Sequence, residues 1–230
     1  MRAESSSCFE PHGGDPAIAR RQKGDPRDRR PWTRAWAVLR AFVLALAWVV
    51  PTVGHPAEPE DLGARIAQAA RKQLGITVAY DPAYVKLPYP GGDVPLRTGV
   101  CSDVVIRALR TVGIDLQREV HEDMRKHFRE YPQNWGLAGP DRNIDHRRVP
   151  NLMRYFERHH RSLNVSRPSP DAFRPGDIVV WDLGGGIRHV GIVSEKKAGK
   201  TPLILHNIGR GAEEEDLLFR HRILGHYRVR

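Results

Sequence analysis

The stretch DIVVWDLGGGIRHVGIVSEKKAGKTPLILH, residues 177–206, decides the fold class of this chain. It contains three short runs of β-branched and apolar residues separated by Gly-rich or charged turns, which predicts three consecutive antiparallel strands. A fourth run of the same type, ILGHY, follows at 223–227. The sequence therefore predicts a small antiparallel meander in the C-terminal part of the chain.

The residues before this sheet have helical periodicity instead. Apolar residues recur at i, i+3 and i+4, and glycine or proline ends each periodic segment. We expect Thr98 to be the N-cap of the second helix, which places Cys101 in its first turn. Helices followed by strands predict an α+β domain in which the helices pack on the sheet. The expected helices cover residues 61–75, 98–113, 115–132 and 152–156.

The first 55 residues are expected to direct export. Residues 1–34 are rich in Arg, Pro, Gly and Ser and lack apolar periodicity, so we predict that they are disordered. A basic flank, the apolar run at 41–50 and the small residues after it are typical of a secretory signal peptide. An uncleaved membrane anchor is the alternative. We therefore expect an exported protein, periplasmic or in the cell envelope, with a single folded domain at 56–230.

The net charge of +10 does not indicate a nucleic-acid-binding protein. Residues 1–55 carry 9 basic and 5 acidic side chains, so +4 of this charge belongs to the leading segment. The other +6 is spread over the folded part without the clustered basic stripe that phosphate backbones require. A Gly-rich phosphate loop is also missing from the sequence. A mildly basic surface suits an anionic polymer such as a cell wall equally well.

Cys101 is the candidate nucleophile. Cys8 would be lost with the signal peptide, which leaves Cys101 as the only thiol of an exported chain, without a disulfide partner. In the first turn of a helix it lies near unpaired backbone N–H groups and the positive end of the helix dipole. We therefore expect a lowered thiol pKa and a reactive thiolate. The alternative is a buried, structural cysteine.

Two histidines lie where an amide-cleaving cysteine needs a base. Such a cysteine requires an imidazole that takes the thiol proton and then protonates the leaving nitrogen. His189 begins the second predicted strand, and His206 ends the third, followed by Asn207. Because these strands are expected to be neighbours, either His206 or Asn207 could orient the His189 ring as the third member of a triad.

Long segments of the chain resemble a known bacterial family. They include TVAYDPAYVKLPYPGGDVPLRTGVCSDVVIRALR (77–110), RPGDIVVWDLGGGIRHVGIV (174–193) and LILHNIGRGAEEEDLLF (203–219). These segments are similar to the family catalogued as domain of unknown function 1287, which is grouped with the NlpC-type, papain-like (clan CA) cysteine peptidases and amidases.

The resemblance implies a chemistry and a substrate class. It implies a Cys101–His189–His206 triad, an oxyanion hole that includes the Cys101 backbone N–H, and peptidoglycan stem peptides as substrate. The chain departs from the superfamily in two places. It has Val-Cys-Ser-Asp at 100–103, where relatives often have Asp-Cys-Ser-Gly, and it carries a helical and loop insertion at about 114–165. These departures leave the residues of the expected triad in place.

Polar residues near the cysteine and in the insertion are candidates for substrate binding. Arginines in the loop at 141–148 suit the carboxylates of stem peptides through bidentate hydrogen bonds, unless they hold the loop together internally. No cofactor is expected, and a metal site is disfavoured because its members at 121–123 are adjacent on a helix and point apart. That site would use His121, Glu122, Asp123 and His146. The candidate substrate-binding residues are Asp103, Asp145, His146, Arg147 and Asn207.

Three functions are compatible with these residues. The first is an exported cysteine hydrolase that cleaves an amide bond in peptidoglycan stem peptides or another peptide-like substrate. The second is a non-catalytic module of the same fold that binds peptidoglycan or a partner, with Cys101 inert. The third is a transferase that uses an amine instead of water as the acceptor. Membrane contact is expected only if the N-terminal segment stays uncleaved, and the sequence does not indicate an oligomeric state.

Overall fold

A computed structural model describes residues 61–230, so the predicted leading and signal segment at 1–55 lies outside the described residues. Four helices precede most of the strands, as the α+β prediction requires. The helices are α1 (Leu62–Arg71), α2 (Cys101–Arg110), α3 (Leu116–His127) and α4 (Val149–His159). None of the helices in this part of the chain combines the length and the apolar character needed to cross a bilayer.

Within residues 61–230, eight strands form two sheets. They are β1 (Ala79–Tyr80), β2 (Thr98–Gly99), β3 (Arg161–Ser162), β4 (Ile178–Asp182), β5 (Arg188–Ala198), β6 (Thr201–His206), β7 (Glu213–Glu215) and β8 (Arg222–Arg228). β1 and β2 pair in parallel, and the other six strands form an antiparallel sheet in the order β3-β8-β4-β5-β6-β7. The predicted meander is confirmed for β4, β5 and β6. The fourth predicted strand, β8, instead returns to lie beside β4, and β7 was not predicted.

The core lies between the helices and one face of the sheet. Alternate residues of a strand point to opposite faces, and β4 follows this rule. Val180 packs in the cluster shared with the helices, whereas Val179 and Trp181 pack in a second cluster on the other face. α2 is buried along most of its length, including Val105 and Leu109, and it contacts β5. This packing fixes the N-terminus of α2, where Cys101 lies, relative to the strand that carries His189.

The start of α2 differs from the sequence prediction. Thr98 is not the N-cap, because it belongs to β2, and the helix begins at Cys101 after Val100. The Asp103 carboxylate instead accepts a hydrogen bond of 2.6 Å from the Val100 backbone N–H. The predicted helix end at Gly113 agrees with its positive φ of 91°, a conformation that glycine adopts without steric cost.

Candidate active site

Cys101 is the first residue of α2 and lies at the wall of a cavity of about 260 Å³. The cavity lining includes Tyr80, Arg147 and Arg188. The side chain of Cys101 is a free thiol and is buried, with 5% of the residue surface exposed. A substrate in this cavity would therefore reach the sulfur from one side only.

The prediction of a lowered thiol pKa for Cys101 is wrong. Burial raises the pKa of Cys101 to about 11, since an ionised sulfur would lose its hydration. The backbone N–H groups of Val190, Ser102 and Cys101 itself lie against the sulfur and lower the pKa, but their effect is smaller than that of burial. The helix N-terminus is thus present, as the sequence predicts, yet at neutral pH the thiol keeps its proton.

His189 and His206 form a direct pair. His189 Nε2 lies 3.0 Å from His206 Nδ1, and the two rings meet edge to face at 85°. Because one ring nitrogen of His189 faces His206, Nδ1 is the nitrogen left for the thiol. The sulfur contacts the backbone N–H of Val190, the residue that follows His189 in β5. The structure therefore brings His189 and His206 into contact and places the Cys101 sulfur against the backbone next to His189.

The environment keeps both imidazoles neutral. His189 is 2% exposed, and burial lowers its pKa to about 3, with smaller contributions from the nearby His206 and His221. Burial also lowers the pKa of His206, opposed by the charges of Glu215 and Glu213. At neutral pH the site therefore holds a neutral thiol next to a neutral imidazole. Such a pair can act by general-base catalysis, in which the proton moves as the sulfur attacks.

Two residues at this site were not predicted from the sequence. Glu215 Oε2 lies 3.4 Å from His206 Nε2, on the side of the ring opposite His189. Tyr80 lines the cavity, and its pKa is raised to about 12 by burial and by the neighbouring Cys101. Glu215 belongs to a run of three glutamates that looks like a solvated turn, so only the strand pairing of β6 with β7 reveals it.

Asn207 does not orient the His189 ring. Its side-chain amide donates a 3.0 Å hydrogen bond to the carbonyl of Gly99, and its carbonyl oxygen accepts from the backbone N–H groups of Gly209 and Gly211. Asn207 therefore ties the end of β6 to β2, two residues before the cysteine. Of the two residues considered for orienting the His189 ring, only His206 contacts it.

Arg147 and Asp103 form a buried ion pair beside the cysteine. Arg147 Nε and Nη2 each donate a 2.9 Å hydrogen bond to one oxygen of the Asp103 carboxylate. Arg147 also donates to the carbonyls of Ala83 and Asp81. The pair thus connects three segments, namely the insertion, the Cys helix and the loop after β1. Arg147 lines the cavity, so it remains a candidate for substrate binding, but most of its donors already have protein partners.

The other predicted loop residues are turned inward. Asp145 accepts hydrogen bonds from the Asp141 backbone N–H and from Arg148, and it is 1% exposed. His146 is 2% exposed, and burial lowers its pKa to about 4. Both arrangements fit the alternative that this loop is held together internally.

The residues considered for a metal site are used elsewhere. Asp123 accepts hydrogen bonds from Tyr131 and Arg158, and the His121 ring packs edge-on against Tyr89. Within residues 61–230, no three His, Cys, Asp or Glu side chains are grouped so that they could hold a metal ion.

Comparison with known proteins shows the family. The sequence model described as "Domain of unknown function (DUF1287)" matches residues 67–229. The chain belongs to this family. It is also similar to the "Uncharacterized protein YijF" of Escherichia coli (strain K12), with 59% identity over 164 residues, which cover 71% of this chain and 80% of the relative.

In this DUF1287 member, Gly191 permits the close approach of β5 and β6, the strands that carry His189 and His206. A Cβ at position 191 would lie 2.7 Å from Ile204 Cγ2 and 3.1 Å from His206 Cβ. We expect Gly191→Ala to destabilise the fold by about 1–3 kcal/mol, as overpacked cores do, and to slow any His206-dependent reaction. Chemical denaturation checks the first effect. Gly139→Ala is the control, because a Cβ at position 139 would meet no atom of the described residues within 4 Å. Equal stability of the two variants would contradict the prediction.

Proposed function

We propose that this protein is an exported cysteine hydrolase of the papain-like, NlpC type, which cleaves an amide bond in peptidoglycan stem peptides. The observation that carries the proposal is the contact between His189 and His206, together with a Cys101 sulfur that lies against the backbone next to His189. The sulfur at a helix start contacts the N–H next to His189, and His189 Nε2 lies 3.0 Å from His206 Nδ1. This is the order in which a nucleophile, a base and an orienting group act in amide cleavage.

The chemical steps follow from the protonation states. Cys101 Sγ attacks the scissile carbonyl carbon while its proton moves to His189 Nδ1, and the negative charge collects on the carbonyl oxygen. We place the Cys101 backbone N–H in the oxyanion hole, where donors stabilise this charge. The C–N bond then breaks as His189 returns the proton to the leaving amine. Water, deprotonated by the same imidazole, hydrolyses the thioester and regenerates the thiol.

The lining of the cavity supports a carboxylate-bearing substrate through Arg188, because Arg147 is already paired with Asp103. Two arginines, Arg147 and Arg188, and no acidic side chain contribute to its lining in the part of the chain that the structure describes. Arg188 is one-third exposed and shares Asp182 with Arg222, at 3.2 and 2.8 Å. Guanidinium groups bind carboxylates through paired hydrogen bonds, and stem peptides carry several carboxylates. Export to the periplasm or cell envelope, as residues 35–54 indicate, would bring the protein to this substrate.

A non-catalytic binding module is the second candidate. The observation that favours it is the burial of Cys101, which raises the pKa of the thiol to about 11 and makes it unreactive towards most electrophiles. In that case the cavity would hold a wall peptide without cleaving it.

The test is digestion of peptidoglycan muropeptides by the purified mature protein, with the products followed by mass spectrometry. New fragments from the wild type, and none from Cys101→Ala, would support the hydrolase, and their masses would identify the bond. Sacculus binding by both proteins without fragments would favour the binding module. Neither cleavage nor binding would mean that peptidoglycan is not the substrate.

A further inference from the structure

A chain of polar contacts continues beyond the predicted triad. His206 Nδ1 faces His189, while its other nitrogen, Nε2, is buried without a hydrogen-bond partner among the described residues and lies 3.4 Å from Glu215 Oε2, within ion-pair distance. The second oxygen of Glu215 accepts a 3.0 Å hydrogen bond from Arg210 Nη2. Glu215 thus lies between one guanidinium and one imidazole, at the outer end of the row formed by His189 and His206.

Burial of His206 makes its tautomer depend on the protein. The His206 side chain has no solvent exposure, whereas Glu215 is 30% exposed. A neutral imidazole carries one N–H, which can be on either nitrogen. If the proton is on Nε2, it faces a carboxylate. If it is on Nδ1, the lone pair of Nε2 faces that carboxylate instead, which is repulsive.

The tautomer of His206 determines whether His189 can act as a base. With the proton on His206 Nε2, the Nδ1 atom is an acceptor, so His189 must donate from its own Nε2. His189 Nδ1 then has a free lone pair for the thiol proton. With the opposite tautomer, His206 donates to His189 Nε2, and His189 carries its proton on Nδ1, which then has no lone pair to take the thiol proton.

We propose that Glu215 is a positioning residue that selects the reactive tautomer of both histidines through its contact with His206 Nε2. The proposal rests on the hydrolase function proposed above. The carboxylate also stabilises the His189 imidazolium during the reaction, because the positive charge that forms there polarises the row of N–H donors towards Glu215. The other charged groups near the pair are Glu213 and Arg210, which face His206, and His221, which acts on His189.

The test compares Glu215→Leu with Glu213→Leu. Glu213 lies on the same strand, opposite His206 in the strand pairing, and binds Arg210 at 3.1 Å, so its loss removes a similar charge without the contact to Nε2. We expect Glu215→Leu to lower muropeptide turnover about 10- to 100-fold, the range for groups that orient an imidazole from its other nitrogen. Glu215→Gln keeps an acceptor and should lose less activity.

The second readout is the ring ¹⁵N chemical shifts of His189 and His206 in the full mature protein, which report the tautomers without any substrate. We expect protonation at Nε2 of both rings in the wild type and in Glu213→Leu, and a mixture in Glu215→Leu. Unchanged shifts in Glu215→Leu, or equal changes in both variants, would overturn the proposal. If the wild type cleaves nothing, the hydrolase function fails, and the shifts alone still decide the role of Glu215.

Discussion

Cys101→Ala is expected to abolish turnover at every pH, whereas His189→Ala is expected to keep a slow activity that grows as the pH rises. The two variants differ because the sulfur forms the covalent bond to the substrate, while the imidazole only moves a proton. Without the sulfur, nothing in the cavity replaces the nucleophile. Without the imidazole, the reaction still proceeds through the small fraction of thiol that is ionised.

The size of the His189→Ala effect follows from the thiol pKa. With a pKa of about 11 for Cys101, roughly one thiol in ten thousand is ionised at pH 7, and the fraction rises about tenfold with each pH unit. We expect a loss of about 10²- to 10⁴-fold at pH 7, as is typical of general-base catalysis. The wild type should show little pH dependence near neutrality, since the pKa of His189 is lowered to about 3 and the base stays unprotonated.

Initial rates of muropeptide cleavage between pH 6 and 10 measure both effects. His127→Ala is the matched control, because His127 is a partly exposed histidine of α3 that contacts Glu130, and it should behave as the wild type does. Circular dichroism would show that each variant is folded. A His189→Ala protein as fast as the wild type at pH 7, or with a rate independent of pH, would contradict general-base catalysis by His189.

The main helices and strands and the histidine pair could be predicted because they depend on sequence patterns within short segments. β4, β5, β6 and β8 are β-branched runs bounded by turns, and the α2 residues follow helical spacing, so the chain order alone gives the fold class. His189 lies near the start of β5 and His206 at the end of β6. Because the two strands pair antiparallel, both histidines lie at the same end of the strand pair. Their contact required only that β5 and β6 be neighbours.

The thiol pKa and Glu215 could not be predicted because they depend on packing and on register. A helix N-terminus lowers a thiol pKa, but the burial of Cys101 raises it by more, and that burial depends on how α2 packs on the sheet. Glu215 reaches His206 through the pairing of β7 with β6, and the sequence marks β7 only as a run of charges. Thr98 is not the N-cap because it pairs in β2, and the helix begins three residues later at Cys101.

Arg147→Ala is expected to destabilise the protein by about 3–5 kcal/mol, the loss found when one partner of a buried ion pair is removed. The side chains of Arg147 and Asp103 are 3% and 4% exposed, so the Asp103 carboxylate would stay buried without its counter-charge. It would keep only the hydrogen bond from the Val100 backbone N–H. The carbonyls of Ala83 and Asp81 would also lose their donor, so the cavity wall next to Cys101 should loosen.

Urea denaturation of four proteins distinguishes the stability lost with the ion pair from the stability lost with side-chain packing. The wild type and Arg147→Ala give the cost of the uncompensated charge, and Arg147→Met with Asp103→Asn removes both charges while keeping much of the volume. We expect this double variant to regain part of the stability, since a neutral buried pair avoids the desolvation cost.

Arg222→Ala is the control. Its side chain is 72% exposed and pairs with Asp182 at 2.8 Å, and such surface pairs contribute at most about 1 kcal/mol. If Arg147→Ala costs no more than Arg222→Ala, the pair does not hold the insertion to the Cys helix, and Arg147 would be free to bind substrate instead.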